Sequence, residues 1–322
     1  MALISVVIPC YNAGSYICGT LEALEKQTFR DFNVILVDDC SGDDTAQVIA
    51  DYAAQSQMEI IYAKNEQNAG PAVCRNHGIG LSDATYICFC DSDDWYDEDY
   101  LSSMVEMAQN TQADMTFCGY RVAFADGKQP LEHPLPTKAG ALDKEGVLLL
   151  NVDSLWCLMI KRNLAAQFPL PNLRNGEDMA VLPVWMMHAQ RFAAVPQAMY
   201  NYLLRKDSLS NKTSMRVVDS LVASFAYIQQ NAEEAYRPQI TYIGIRNLVY
   251  GALLNLFKYC DDVQRAKQIL DDFEQAFPDW KNNPYIGKLP LFKRIFVKLA
   301  AERQLGLVRA MCRVHRWMTE RE

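Results

Sequence analysis

Three aspartates crowd into the run Asp91-Ser92-Asp93-Asp94, directly after the apolar segment Tyr86–Cys90. Carboxylates this close repel one another, and they are tolerated together where solvent or a cation neutralises them. A divalent cation held by few carboxylates fills its other positions with water and phosphate oxygens. A metal diphosphate is therefore the natural occupant. An Asp-x-Asp alone is also a common surface turn; its place at the end of a buried strand, opposite other strand-end acids, favours the metal reading. Asp38-Asp39 close a second apolar run, Phe32–Val37. An acid there can accept a hydrogen bond from a ribose hydroxyl or a base N–H, or it can cap the helix beginning near Asp43, a duty for which Ser41 is the commoner type. The expectation is ligand contact for one of the two and a supporting role for the other. Tyr11 follows a first apolar run and offers a ring either for stacking a base or for packing. Far along the chain, Gly176-Glu177-Asp178 opens an apolar helical run containing Met179, Leu182 and Trp185. Two readings are open for these acids: residues matched to the helix dipole, or a catalytic base beside a hydroxyl.

Such residues need a scaffold, and the first 125 residues alternate between two periods. Leu3–Ile8, Phe32–Val37, Glu59–Ala63 and Thr85–Cys90 read as strands, the first two as continuous apolar runs buried on both faces. Between and after them, Ser15–Gln27, Asp43–Gln55, a helix opened by Pro71, and Asp97–Asn110 carry helical spacing, the last with acids in its first turn. Met115–Ala125 reads as another strand. Strand-then-helix units in series predict an α/β fold, a mostly parallel central sheet with helices on both faces. Right-handed crossovers bring every strand's carboxyl end to one edge, and ligands bind there, where strand order reverses. Pro9, Tyr11 and Asn12, then Asp38 and Asp39, then Asn65 and Asn68 with Arg75, then Asp91, Asp93 and Asp94 all arrive at that edge. Asp126–Gly140 reads as a loop, Leu142 to about Tyr202 as mixed helical patches and turns, and the chain from Met215 as helical. The expected organisation is an α/β half over 1–125, a mixed second half over 126–212, and a C-terminal helical region over 213–322.

Composition narrows the class. Half the residues are hydrophobic, 22% are charged and the net charge is -8, which argues against a general nucleic-acid binder. The ten cysteines contain no Cys-x-x-Cys pair and read as small buried hydrophobes in a reducing cytosol. The apolar N-terminus has no basic flank and reads as a strand, not a signal peptide. No unbroken stretch of about 18 apolar residues occurs, so no segment is expected to span a bilayer. The expected location is the cytoplasm, with the inner face of the membrane as a further option. The segment 284–322 carries nine Lys and Arg against three Asp and Glu, interleaved with Leu291, Phe292, Ile295, Val308 and Trp317. This is the make-up of a basic amphipathic helix pair that lies on an anionic membrane as a peripheral contact, or of helices packed on their own domain with a solvated basic face.

Taken jointly, the motifs carry a resemblance. The run Ser5-Val6-Val7-Ile8-Pro9-Cys10-Tyr11-Asn12 is followed by Leu21, Leu24, Gln27-Thr28-Phe29 and Val37-Asp38-Asp39-Cys40-Ser41-Gly42-Asp43-Asp44-Thr45. Then come Asn68-Ala69-Gly70-Pro71, Arg75-Asn76-His77-Gly78 and Asp91-Ser92-Asp93-Asp94-Trp95. In this order they resemble family 2 glycosyltransferases, closely over about 3–125 and more thinly through Trp156, Phe168, Gly176-Glu177-Asp178, Tyr200, Tyr202 and Arg205. The resemblance implies a GT-A fold and inverting transfer of a sugar from a nucleotide donor, UDP being commonest, to an acceptor hydroxyl. A cell-surface or capsular glycan on a lipid carrier is the acceptor it suggests.

By position, Pro9 and Tyr11 would border the base, Asp39 would hold the uracil or its equivalent, and Arg75 would lie near the nucleotide. Asp91 would meet the ribose or sugar, Asp93 would bind Mg2+ or Mn2+, and Asp178 would be the base. Arg205, with Ser208 and Ser210, would close over the diphosphate, while Asp38, Asn68, Asp94 and Glu177 would support these groups. Two departures stand out. Leu158 occupies a position where relatives carry a basic residue, and the Gln-x-x-Arg-Trp signature of processive synthases is missing, which favours single additions.

Rival readings are weaker. A sugar-nucleotide nucleotidyltransferase would need a Gly-rich basic phosphate loop where Cys10-Tyr11-Asn12-Ala13-Gly14 has no Lys or Arg, and a dehydrogenase lacks its Gly-x-Gly-x-x-Gly turn. A non-catalytic binding protein of the same fold would have no need to keep these carboxylates.

Overall fold

Ile4–Cys10 form the first strand, β1, with only Pro9 short of full burial. The computed structural model describes residues 1–150, 152–173, 175–205 and 215–319. The chain divides into two compact units, Met1–Ser208 and Leu209–Glu322.

In the first unit β1 is followed by α1 (Ile17–Glu25), β2 (Phe32–Asp38), α2 (Thr45–Ala53), β3 (Glu59–Lys64), α3 (Pro71–Leu81) and β4 (Tyr86–Phe89). The four strands pair in the order β3-β2-β1-β4, all parallel. Strand order therefore reverses between β1 and β4, which opens the ligand crevice beyond their carboxyl ends. Cys10 pairs with Asp38, and Val7 with Phe89. Tyr11, Asp39 and Asp91 consequently leave the sheet on one edge. Helix α3 lies close against β1 because Gly78 has no side chain: a Cβ there would sit 2.4 Å from Val7 Cγ1.

The unit continues with β5 (Trp95–Tyr96), α4 (Tyr100–Thr111), β6 (Met115–Phe124), β7 (Leu131–His133), β8 (Gly140–Leu142), α5 (Lys144–Leu149), β9 (Leu158–Lys161), α6 (Arg162–Gln167), α7 (Glu177–His188) and β10 (Phe192–Leu204). β9 inserts antiparallel between β4 and β6; β10 then runs parallel to β6, with β5 antiparallel beside it.

Several local expectations need correction. Helix α4 begins at Tyr100, so Asp97, Glu98 and Asp99 precede it and its first turn holds no acid; Asp97 instead takes Arg121 at 2.7 Å. Helix α2 begins at Thr45, and Ser41 does not cap it: its hydroxyl accepts the Asn12 N–H. The Asp126–Gly140 loop contains β7 and the start of β8. The long strand β10 was not read at all, because Pro196 interrupts it. The structure accommodates this proline with register shifts between Val195 and Tyr200, the kind of bulge at which a strand tolerates a missing N–H.

The second unit is helical, with α8 (Met215–Gln230), α9 (Arg237–Gly244), a wide-turn segment (Ile245–Ala252), α10 (Leu253–Tyr259), α11 (Val263–Ala276), α12 (Leu291–Ala301) and α13 (Leu305–Thr319). Its core packs Phe225, Phe273, Phe277 and Trp280 together with their rings tilted or edge-on to one another. Contrary to the sequence reading, one continuous helical stretch, Glu234–Tyr259, is long and apolar enough to cross a membrane, but 72% of its most apolar window is buried within the protein. That burial is what a core helix shows. Seven of the ten cysteines are buried as free thiols.

Candidate active site

The three aspartates after β4 have three different surroundings. Asp94 is buried; its Oδ2 accepts from the Tyr200 hydroxyl at 2.6 Å and its Oδ1 from the Leu203 N–H at 2.7 Å. Burial, with Asp91 and Asp93 close by, pushes its carboxyl up to about 8. Asp94 is thus the knot that holds β10 to the end of β4. Asp93 faces Arg205, whose guanidinium lies 4.2 Å above the Tyr16 ring. Burial raises the Asp93 carboxyl pKa, Arg205 opposes that, and Asp91 adds to it. A cleft of about 730 Å³ opens beside Asp93, walled by Tyr16, Trp95 and Leu203. Asp91 accepts from Arg75 Nη2 at 2.8 Å, and its N–H donates to the Tyr200 hydroxyl at 3.1 Å.

Arg75 carries the connection onward. Its guanidinium is buried, and Nη1 donates to Glu177 Oε1 at 2.7 Å. Glu177 and Asp178 open α7 after Gly176, whose φ of 81° is the left-handed conformation glycine adopts freely. Helix α7 is apolar on all sides and buried accordingly. Trp185 anchors it, stacking on Phe89 of β4 and donating its indole N–H to the Phe168 carbonyl at 2.8 Å. The helix carrying Asp178 is thereby packed on the strand that delivers Asp91. Asp178 is half-buried. Desolvation, then the charge of Glu177, raises its carboxyl to about 7, against the pull of the Met179 N–H and Arg75; Asp153 adds a further like charge. A carboxyl titrating there is matched to general-base work near neutrality.

On the β2 side, Asp39 is buried under its own loop. Oδ1 accepts from Asn65 Nδ2 and the Ala69 N–H, both at 2.9 Å, and Oδ2 from the Gly70 N–H at 2.7 Å. Desolvation would raise this carboxyl, but the Ala69, Asn65 and Gly70 donors outweigh it and hold it below the usual range. Asp38 is wholly buried, accepting from the Ser41 N–H and the Tyr62 hydroxyl, with Lys64 at 3.7 Å. Asn68 donates weakly to the Asp39 carbonyl at 3.4 Å. Pro9 is partly exposed and Tyr11 is 55% exposed, so Tyr11 presents an open aromatic face at the β1 end.

The family description "Glycosyl transferase family 2" matches residues 5–165, half of the chain. The chain belongs to glycosyltransferase family 2. Its curated relatives include the teichuronic acid biosynthesis glycosyltransferase TuaG of Bacillus subtilis (strain 168), 28% identical over 65% of this chain and 82% of the relative. Among solved structures, Staphylococcus aureus TarS 1–349 in complex with UDP-GlcNAc superposes with a TM-score of 0.75 at 22% identity, over 98% of this chain and 92% of TarS 1–349. The mannosyltransferase PcManGT of Pyrobaculum calidifontis, in complex with GDP-Man and Mn2+, gives 0.58 at 16% identity, over 94% and 87% of the two chains. The fold is GT-A, with a C-terminal helical region, and the protein is a transferase.

As a family 2 glycosyltransferase, the chain brings Asp91, Asp93, Arg75, Glu177 and Asp178 together, although Glu177 and Asp178 lie far from the others in sequence. Helix α3 extends the group to Asp39, because Gly70 at its N-terminus donates to that carboxylate. Arg75, placed near the nucleotide by resemblance, turns both Nη atoms onto carboxylates, those of Glu177 and Asp91. Ser208 and Ser210 lie outside the described residues. Leu158, where the resemblance led to an expectation of a basic residue, is buried in β9. Sequence reasoning missed Tyr16 and Asp153, which belong to no motif, and the double hydrogen bond of Tyr200.

No group of three or more His, Cys, Asp or Glu forms a cage for a metal ion among the described residues. The donor set still fits a cation shared with a diphosphate. Asp94 is committed to Tyr200 and Leu203, and Asp91 to Arg75, while the side-chain partner of Asp93 among the described residues is Arg205, a cation that a metal could replace. Mg2+ is commonly bound by one or two carboxylates, with phosphate oxygens and water completing its shell.

Proposed function

We propose that this enzyme transfers a sugar from a UDP-sugar to an acceptor hydroxyl in a single inverting displacement. The observation that carries the proposal is the Asp91–Arg75–Glu177 bridge, which fixes the Asp178 carboxyl beside the edge where the donor would lie. Asp178 takes the proton of the acceptor hydroxyl. The oxygen attacks the anomeric carbon from the face opposite the nucleotide, the bond to the diphosphate oxygen breaks, and its electron pair leaves with UDP. Asp93 would hold Mg2+ or Mn2+, and such a cation, when bound, neutralises charge growing on the diphosphate. Arg205 supports the same charge from beside Tyr16.

Tyr11 stacks on the base next to Pro9. Asp39 offers the base N–H a lone pair that its three protein donors leave unused. Asp38 and Asn68 brace that loop, Asp94 braces Asp91 and Asp93, and Glu177 steadies Arg75. The names of relatives such as TuaG, a teichuronic acid biosynthesis glycosyltransferase, support a glycan acceptor; we read that acceptor as a cell-surface or capsular polysaccharide carried on a lipid, and place the enzyme in the cytoplasm at the inner face of the membrane as a peripheral protein.

The test is a panel of nucleotide sugars, UDP-GlcNAc first, assayed with and without Mn2+ for donor cleavage and transfer. Metal-dependent release of UDP from one donor supports the reading. Cleavage of none, together with no binding of UDP by calorimetry, overturns it.

A further inference from the structure

Helices α12 and α13 carry more apolar surface than their own fold uses. Phe296, Val297 and Ala300 of α12 and Leu305, Val308 and Cys312 of α13 face inward and are buried. One such stripe is all a helix needs to pack on a soluble domain. Each helix has a second. On α13, Leu307, Met311, Val314 and Met318 recur at the spacing of one helical face, and Val314 is 57% and Met318 60% exposed. On α12, Leu291 and Ile295 are one turn apart and exposed, Leu291 to 64%. Phe292 of α12 meets the His315 ring of α13 at 5.7 Å, which joins the two outer faces into one patch.

The surround is basic. Arg294 and Lys298 of α12 are exposed beside the strip, whereas on α13 Arg309 and Arg313 turn to Asp261 and Arg316 to the Lys258 carbonyl; the segment 284–322 holds nine Lys and Arg against three acids in a chain whose net charge is -8. An apolar strip rimmed by cations matches a surface that is anionic outside and apolar within. A second copy docked through the same face would set this basic segment against itself. The acidic remainder of a second copy would satisfy the charge but offers no counterpart for the apolar stripe.

We propose that the outer face of α12 and α13 is a docking surface for a bilayer containing anionic lipid, with Ile295, Val314, Trp317 and Met318 entering the headgroup boundary and Arg294 and Lys298 meeting lipid phosphates. This gives a surface to the membrane placement proposed above, and it stands independently of the donor-site assignment.

The test is co-sedimentation of the full chain with phosphatidylcholine vesicles, with and without phosphatidylglycerol. The wild type binds the phosphatidylglycerol vesicles, and binding weakens with salt, as electrostatic attraction at a surface must. The double variant Val314→Ser, Met318→Ser loses binding by roughly tenfold or more, and so does Arg294→Glu, Lys298→Glu. Both keep the wild-type melting temperature and UDP affinity, which separates loss of docking from loss of fold or of the donor site. Failure of the wild type to bind phosphatidylglycerol vesicles overturns the proposal, as does undiminished binding by both double variants. A dimer in sedimentation velocity that Val314→Ser, Met318→Ser abolishes, without vesicle binding by the wild type, assigns the face to a second copy instead.

Discussion

Arg75 of α3 and Glu177 of α7 meet at 2.7 Å, although 102 positions separate them in the chain. The same guanidinium holds Asp91 at 2.8 Å. One buried cation therefore sits between the acid that ends β4 and the acid that begins the helix of Asp178. Without that cation the buried Glu177 carboxylate and the half-buried Asp91 would repel each other in a medium that screens poorly.

Replacing Arg75 by Met should accordingly destabilise the first unit strongly. Removing one partner of a buried ion pair costs about 3–5 kcal/mol, which urea unfolding would register as a lower midpoint. Arg75→Lys should recover only part of this, because an ammonium cannot bond two carboxylates in the planar fork that guanidinium provides. Equal stability of Arg75→Met and the wild type would show that the bridge is dispensable.

Transfer should respond to pH through Asp178. Its carboxyl is raised to about 7 by burial and by Glu177, and only the ionised form accepts a proton. The rate should rise with pH and level off above about 7, and Asp178→Asn should lose that limb along with roughly 10²–10⁴-fold of the rate while UDP binding persists. Stability should move the other way. A folded-state pKa above the unfolded value means that the folded chain binds more protons, so stability is present below the unfolded pKa and is lost as pH rises toward 7. Chemical denaturation from pH 4 to 8 measures that slope.

Asp93→Asn should abolish the dependence of UDP affinity on Mn2+, since Asp93 is the one acid of its cluster not already bonded to a neutral donor or to Arg75. Calorimetry with and without the metal reads this directly. A variant whose UDP affinity still increases with Mn2+ would move the metal role elsewhere.

Tyr200→Phe deletes the hydroxyl that donates to Asp94 and accepts from the Asp91 N–H. Leaving buried partners unsatisfied costs about 1–3 kcal/mol. The loss should appear in thermal melts and should be larger above pH 8, where Asp94, raised to about 8, is charged.

Much of this architecture is legible in the residues. Short, β-branched apolar runs such as Ile4–Cys10 and Phe32–Asp38 read as strands buried on both faces, and alternation with helical spacing points to parallel pairing. β3, although exposed at the sheet edge, is still marked by its β-branched pair Ile60-Ile61. β10 escaped because Pro196 argues locally against a strand, and only pairing with β6 on one side and with β5 and β8 on the other overrides that signal. β7 and β8 escaped because three-residue strands have no period to detect.

The sequence by itself determined that acids would gather at the carboxyl edge of a parallel sheet, because strand direction and crossover handedness follow from local pattern and chirality. Tertiary structure alone decided how those acids divide their work. Asp39 turns into the 65–70 loop, Asp94 into Tyr200, Asp93 toward Arg205 and Asp91 toward Arg75, and Asp178, half-buried, has no cation bonded to its carboxylate among the described residues. A side chain's partner and protonation depend on desolvation and on charges brought near through space, and neither is encoded in its neighbours along the chain.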